Sequence, residues 1–309
     1  MRNPYIKCPT IKSRKMYKIL MPYTYVKSER VREHLDGYEL VLITAGILKP
    51  NWNIDRKMVD FYKKLEVSCW RFHACHSTPP QKFKHLTMNL AEKPNKQIEK
   101  ALKNQISIAS AIGGEEKPNL LVIHSGSVKN IEERENGIEN VVENLKKALD
   151  TAEEEEITLA LETKERRVKG DLYFIGSQYQ DLIEIKKEVG SDLVKFTCDI
   201  GHLKTMGGTP YIKEAIRRLG KNIIHAHIHW NDSRLDLHQP LTAIPEKEKQ
   251  EFKTIIKLLI EKTDIPNEKY RTFTLEIAHK TIAKPPKHGA TTKEQIESIK
   301  ILKNLIEKQ

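Results

Sequence analysis

Eight short apolar runs, each rich in β-branched residues, alternate along the chain with eight segments of helical periodicity. Few architectures accept that rhythm. The runs fall at Lys18–Pro22, Tyr38–Thr44, Val67–His73, Leu120–His124, Ile157–Glu162, Leu193–Asp199, Asn222–His229 and Thr272–Glu276. The helical segments fall at Glu29–Leu35, Asp55–Leu65, Asn95–Ile112, Ile131–Ala152, Gln178–Val189, Tyr211–Leu219, Glu246–Lys262 and Thr292–Glu307. Strands and helices in strict succession predict parallel strands joined by helical crossovers, and eight such units close into an α/β fold, the (β/α)8 TIM barrel. Glycines punctuate the pattern where a helix needs a left-handed terminating residue, at Gly113-Gly114, Gly190 and Gly220.

Six of the runs end in a side chain able to bind a metal: His73, His124, Glu162, Asp199, His229 and Glu276. A parallel barrel brings all its strand C-termini to one face, so these six converge on one site there. In Lys195-Phe196-Thr197-Cys198-Asp199-Ile200-Gly201-His202 the strand delivers Asp199 at its tip, and His202 follows in the next turn. His225, His227 and His229 recur at period two and share one face of their strand. Only His229 reaches the mouth, which leaves His225 and His227 to packing inside the barrel or to supporting roles. Asp236 and His238 sit in the following loop, spaced to clasp one ion. His, Asp and Glu without Cys suit Zn²⁺ or Mn²⁺. Nine ligands exceed the needs of one ion, so two or three are expected, an arrangement that serves hydrolysis of phosphodiesters through an activated hydroxide.

With 309 residues and 39% hydrophobic content the chain can bury one large core, which predicts a single domain over 1–309 with residues 1–16 as an N-terminal extension. The formal net charge of +11 and a pI near 9.2 favour polyanionic partners, although a generic Lys-rich surface gives the same balance. Cys8, Cys69, Cys75 and Cys198 lack CxxC spacing and read as reduced packing residues. Neither a secretory signal nor a bilayer-length apolar stretch is present, so a cytoplasmic location is expected, with no membrane and no protein partner implied. Ser77–Lys84 and His279–Ala290 are long and aperiodic, and read as substrate-binding loops.

Short motifs extend the pattern. Lys49-Pro50-Asn51-Trp52, His73-Ala74, Met88-Asn89-Leu90-Ala91, His124-Ser125-Gly126-Ser127, Leu161-Glu162-Thr163, Asp199-Ile200-Gly201-His202, His229-Trp230-Asn231-Asp232-Ser233, Asp236-Leu237-His238 and Leu275-Glu276 occur in this order. From about Tyr38 to Glu276 the chain thereby resembles the endonuclease IV family of apurinic/apyrimidinic endonucleases, within the xylose-isomerase-like barrel superfamily. The resemblance implies metal ligation by His73, His124, Glu162, Asp199, His202, His229, Asp236, His238 and Glu276, with Glu162 bridging two ions. It implies Zn²⁺, damaged double-stranded DNA as partner, and incision 5′ to an abasic site after the nucleotide is rotated out of the duplex. The chain departs from that family where His76 replaces a DNA-contacting Tyr, where Ser77–Lys84 is extra, and where Glu162-Thr163 runs into Lys164-Glu165-Arg166-Arg167. The first strand's Gly-x-His-x-Ser is also absent, and His73 and His76 compete for one ligand position.

Three activities fit these residues. A metal-dependent DNA-repair endonuclease would use the basic loops Lys164–Lys169 and Lys280–Lys287 for phosphate contacts, with Glu162 and Glu276 as catalytic carboxylates. A sugar isomerase or epimerase would need only Glu162, Asp199, His229 and Glu276 around one ion, two of the carboxylates serving as acid and base. A nucleic-acid-binding module without catalysis would be expected to lack ligands, and none is missing.

Overall fold

In the computed structural model, residues 17–79, 81–113, 119–166, 172–267, 270–283 and 288–308 are described. The N-terminal extension with Cys8, Gly114, the basic stretch 167–169 and residues 284–287 of the last long loop lie outside them. Eight parallel strands close into a barrel: β1 (Lys18–Pro22), β2 (Gly37–Val41), β3 (Trp70–His73), β4 (Asn119–Ile123), β6 (Ile157–Glu162), β8 (Val194–Asp199), β9 (Ile223–Ile228) and β10 (Thr272–Leu275). Closure is made by β1 pairing in parallel with both β2 and β10. Two short strands, β5 (Ser127–Val128) and β7 (Tyr173–Phe174), pair antiparallel as a flap outside the barrel.

The helices are α1 (Glu29–Arg32), α2 (Arg56–Lys63), α3 (Lys96–Gly113), α4 (Arg134–Lys146), α5 (Leu149–Glu154), α6 (Tyr179–Val189), α7 (Ile200–Leu219), α8 (Glu246–Lys262) and α9 (Thr292–Glu307). Their apolar faces pack on the outward side chains of the strands, among them Phe72, Leu159, Leu161, Phe196, Ile228, Phe273 and Leu275, to form the main core. A smaller apolar group, Leu120, Val122, Ala160, Ile224 and Tyr270, is separate from it. Burying each large aliphatic or aromatic side chain contributes about 1.5–3 kcal/mol, so this shell dominates stability.

The expected alternation is present with two revisions. The segment Ile131–Ala152 is two helices, α4 and α5, with Lys147 and Ala148 between them. The helix expected at Tyr211–Leu219 begins eleven residues earlier, because Asp199 caps it by accepting a hydrogen bond from the His202 amide at 2.7 Å. Gly207 (φ −172°) and Gly208 (φ 66°) then break α7 before it continues through Pro210. Gly190 ends α6 in the left-handed conformation (φ 68°), as its position predicts. Cys69, Cys75 and Cys198 are buried. Among the described residues no helix is long and apolar enough to cross a membrane.

Candidate metal centre and active-site chamber

Period-two alternation along the strands sends Glu162, Asp199, His227 and the flanking tip residues toward a common point at the C-terminal end of the barrel. All nine side chains expected as ligands meet there. His73, His124 and Glu162 form one group, Glu162, Asp199 and His202 a second, and Asp199, His229 and Glu276 a third. His202, His229, Asp236 and His238 form a fourth, and within each group the donor atoms lie within 4.8 Å of one another. His202 occupies the first turn of α7 rather than a loop, which aims it inward. His76 belongs to none of these groups. It lines the chamber above, its ring 5.2 Å from that of His124.

Local structure explains how loop residues reach the site. The Asn231 side chain donates to the Gly201 carbonyl (2.8 Å) and accepts from the amides of Leu237 (2.8 Å) and His238 (3.1 Å), folding the loop so that Asp236 and His238 turn inward. Trp230 is clamped between the Lys204 ammonium, 3.4 Å from its ring centre, and the edge of Phe252, holding His229 in place.

Hydrogen bonding orients the imidazoles. His73, His202 and His238 each donate from Nδ1 to a backbone carbonyl, of Ala74 (2.9 Å), Thr163 (2.9 Å) and Glu276 (2.7 Å) respectively. Each ring then presents Nε2 to the carboxylates, the tautomer and orientation that metal-binding histidines adopt. His124 Nε2 lies 2.6 Å from Glu162 Oε2 yet, among the described residues, has hydrogen-bond geometry to no partner. Burial, reinforced by the nearby Lys164 charge, lowers the His124 pKa to about 4, so its ring is neutral. A neutral imidazole lone pair against a buried carboxylate asks for a cation between them, and the donor set therefore fits a divalent metal.

Above the donors opens a chamber of about 220 Å³, lined by His73, His124, Glu162, His202, Asp236, His238 and Glu276 at its deep end and by Tyr25, Ser77, Thr78 and Phe174 toward the rim. Lys164 and Glu165 form part of its wall, ion-paired at 2.9 Å. Burial works against the charge on Lys164, but Glu165 and Glu162 outweigh it and raise its pKa. For Glu165 burial also opposes ionisation, and Lys164 and His202 outweigh it, bringing its pKa down to about 2. Lys164 is only 6% exposed. Its charge faces the chamber rather than the outward surface of the basic stretch in which the sequence places it.

Two residues near the donors were not anticipated as members of the site. Glu39, in the middle of β2, and His227 group with His73 and Glu276. The signal for Glu39 was a lone carboxylate inside an apolar strand, where only an interior polar partner could compensate its burial.

The model of the xylose isomerase-like TIM barrel family matches residues 32–300. The chain belongs to that family. An uncharacterized protein of Methanocaldococcus jannaschii, MJ1311, is 26% identical over 226 residues, 71% of each chain. Among solved structures, a D-tagatose 3-epimerase-like protein superposes with a TM-score of 0.67 at 20% identity, covering 94% of this chain and 97% of its own. An L-ribulose 3-epimerase gives the same TM-score at 13% identity, covering 94% and 95%. At these identities the superpositions show the shared barrel fold alone. Enzymes are found in this family, and this member carries clustered His, Asp and Glu donors able to hold metal.

Proposed function

We propose that the protein is a metal-dependent isomerase or epimerase acting on a small polyhydroxylated carbonyl compound of the ketose type. The observation that carries this reading is the small chamber with Glu162 and Glu276 at its deep end. Their carboxylate oxygens lie 3.4 and 3.7 Å from the same nitrogen, His227 Nδ1. A chamber of about 220 Å³ is smaller than the pockets of about 300–1,000 Å³ that take drug-sized ligands, and suits a compact hydroxylated molecule.

His73, His124, Glu162, Asp199, His202, His229, Asp236, His238 and Glu276 would hold Zn²⁺ or Mn²⁺, the carboxylate-rich side suiting Mn²⁺ and the His-rich side Zn²⁺. A divalent cation there supplies charge to a carbonyl oxygen and its neighbouring hydroxyl, acidifying the carbon between them. Glu162 and Glu276 are the acid and base: one removes the proton from that carbon and the other returns a proton from the opposite side. Lys164 and Glu165 give the wall one donor and one acceptor group for substrate hydroxyls, and Phe174 with Tyr25 narrows access for water.

The fourth donor group, His202, His229, Asp236 and His238, exceeds what a one-ion isomerase requires. It favours a second reading, hydrolysis of a phosphodiester at an abasic site in DNA with two or three ions. Two assays on the Mn²⁺- or Zn²⁺-loaded protein separate these readings. A panel of ketoses and ketose phosphates in deuterated water should take up deuterium next to the carbonyl, sensitive to chelator. No uptake across the panel, together with chelator-sensitive incision of a duplex bearing one abasic site, would replace the isomerase by the nuclease.

A further inference from the structure

Beneath the nine donors the barrel interior contains a second buried polar layer. Glu39 Oε2 accepts hydrogen bonds from His225 Nε2 (3.2 Å), His227 Nε2 (3.1 Å) and Thr274 Oγ1 (2.9 Å). Glu39, His225, His227 and Thr274 are all fully buried. The two histidines differ at their other nitrogen. His225 Nδ1 is satisfied by Thr272, 2.9 Å from its hydroxyl and 3.1 Å from its carbonyl. Among the described residues His227 Nδ1 has no hydrogen-bond partner. It faces three carboxylate oxygens, of Glu162 at 3.4 Å, Asp199 at 3.7 Å and Glu276 at 3.7 Å.

We propose that His227 is a further metal ligand, binding through Nδ1 at the floor of the site, and that Glu39 is the carboxylate that positions it. With Nε2–H donated to Glu39, the Nδ1 lone pair points toward the three carboxylates, completing a carboxylate–histidine–metal relay. Ligand atoms bound at about 2.0–2.2 Å around one tetrahedral ion sit about 3.3–3.6 Å apart, close to the separations here. Three buried carboxylate oxygens facing one imidazole nitrogen at these separations form a donor set of the kind that holds a divalent cation, and an ion shared with Glu162, Asp199 and Glu276 would occupy it. The strand positions support the assignment: β9 pairs with β10 at His227↔Thr274 and with β8 at Asp199↔His227, which levels His227 with the tip of β8. Glu39 is a positioning residue, since it acts through His227.

The inference rests on the metal-binding reading above, and the test keeps the two apart. Zinc affinity is measured by competition with a chromophoric chelator, and the apo-protein's stability by urea unfolding. Glu39→Gln should weaken zinc binding about tenfold or more, the range typical of lost partners of a metal-bound histidine. His225→Gln should lower apo stability and leave zinc affinity as in the wild type, which a merely structural role for this layer would not produce. Equal zinc affinity in Glu39→Gln and the wild type would overturn the proposal. A crystal structure of the zinc-loaded wild type needs no variant: Nδ1 of His227 bound at about 2.0–2.2 Å from an ion supports it, and Nδ1 beyond about 3 Å from every bound ion overturns it. Failure of the wild type to take up any ion would remove the metal reading itself.

Discussion

Gly201 offers a test of the metal centre that leaves every donor side chain in place. It lies in the first turn of α7 between Asp199 and His202, and a Cβ added there would come within 2.1 Å of His229 Cε1, 2.4 Å of Nδ1 and 2.6 Å of Nε2. Alanine suits the helical backbone, and on propensity alone Gly201→Ala would stabilise by about 1 kcal/mol. The ring must retreat by more than about 1 Å to restore ordinary contact from 2.1 Å, and overpacking of a buried site typically costs about 1–3 kcal/mol. The two effects nearly offset, so apo stability should fall by no more than about 2 kcal/mol. Metal binding is less forgiving, because ligand distances tolerate only about ±0.2 Å. His229 also stacks on His238 with ring centres 4.0 Å apart, so its movement disturbs a second donor. We expect zinc affinity to drop about 100-fold or more, judged against the roughly 10–100-fold loss when only a supporting partner is removed. Gly190→Ala is the control: it has φ +68° and nothing within 4 Å, so it should cost about 1 kcal/mol of stability with zinc affinity intact. A Gly201→Ala protein that binds zinc like the wild type would refute the placement of His229 at the metal.

Glu162→Gln should abolish turnover while the apo-protein unfolds at nearly the wild-type urea concentration, since it keeps the shape of a side chain shared by two donor groups and removes its charge; retained turnover would take Glu162 out of the mechanism. Zinc at a hundredfold excess over its dissociation constant should stabilise the protein by about 2.7 kcal/mol, raising Tm by roughly 5 °C, and chelator should reverse the shift in a calorimetric scan. Arg134→Met should destabilise by about 2 kcal/mol in urea unfolding. It strands the buried Asp181 carboxylate, which also holds the Gly176 amide (2.8 Å) and the Tyr173 hydroxyl (2.9 Å) at the β5–β7 flap, and the partial exposure of Arg134 keeps the cost below that of a fully buried pair. An unchanged unfolding midpoint would show that Asp181 is solvated.

Strand tips were the most legible part of the sequence. A polar residue ending an apolar run can only face water or a site, and parallel closure decides which, so the sequence alone puts His73, His124, Glu162, Asp199, His229 and Glu276 at one face of the barrel. Asp236 and His238 were legible as a spaced pair, although the device that turns them inward, the Asn231 side chain, is a hydrogen-bond pattern that spacing does not encode. The start of α7 was hidden because Gly201, Gly207, Gly208 and Pro210 are weak or broken helix formers, and the Asp199 cap outweighs them only once the strand has delivered it. Glu39 and His227 needed the closed barrel: they stand on β2 and β9, which touch only across the interior, and no local period relates them. The inward turn of Lys164 was hidden for a similar reason. In the sequence it opens a basic run, whereas in the fold it follows the tip of β6 directly and is drawn inward by Glu162 and Glu165.

The measurement that bears most directly on the whole account is the metal content of the purified protein after incubation with zinc or manganese and removal of excess, read by mass spectrometry beside the chelator-treated form. The account predicts at least one tightly held ion per chain, with two or three if the His202, His229, Asp236 and His238 group is occupied, and loss of the ions together with the thermal stabilisation on chelation. A protein that retains no ion and melts at the same temperature with and without metal would contradict it.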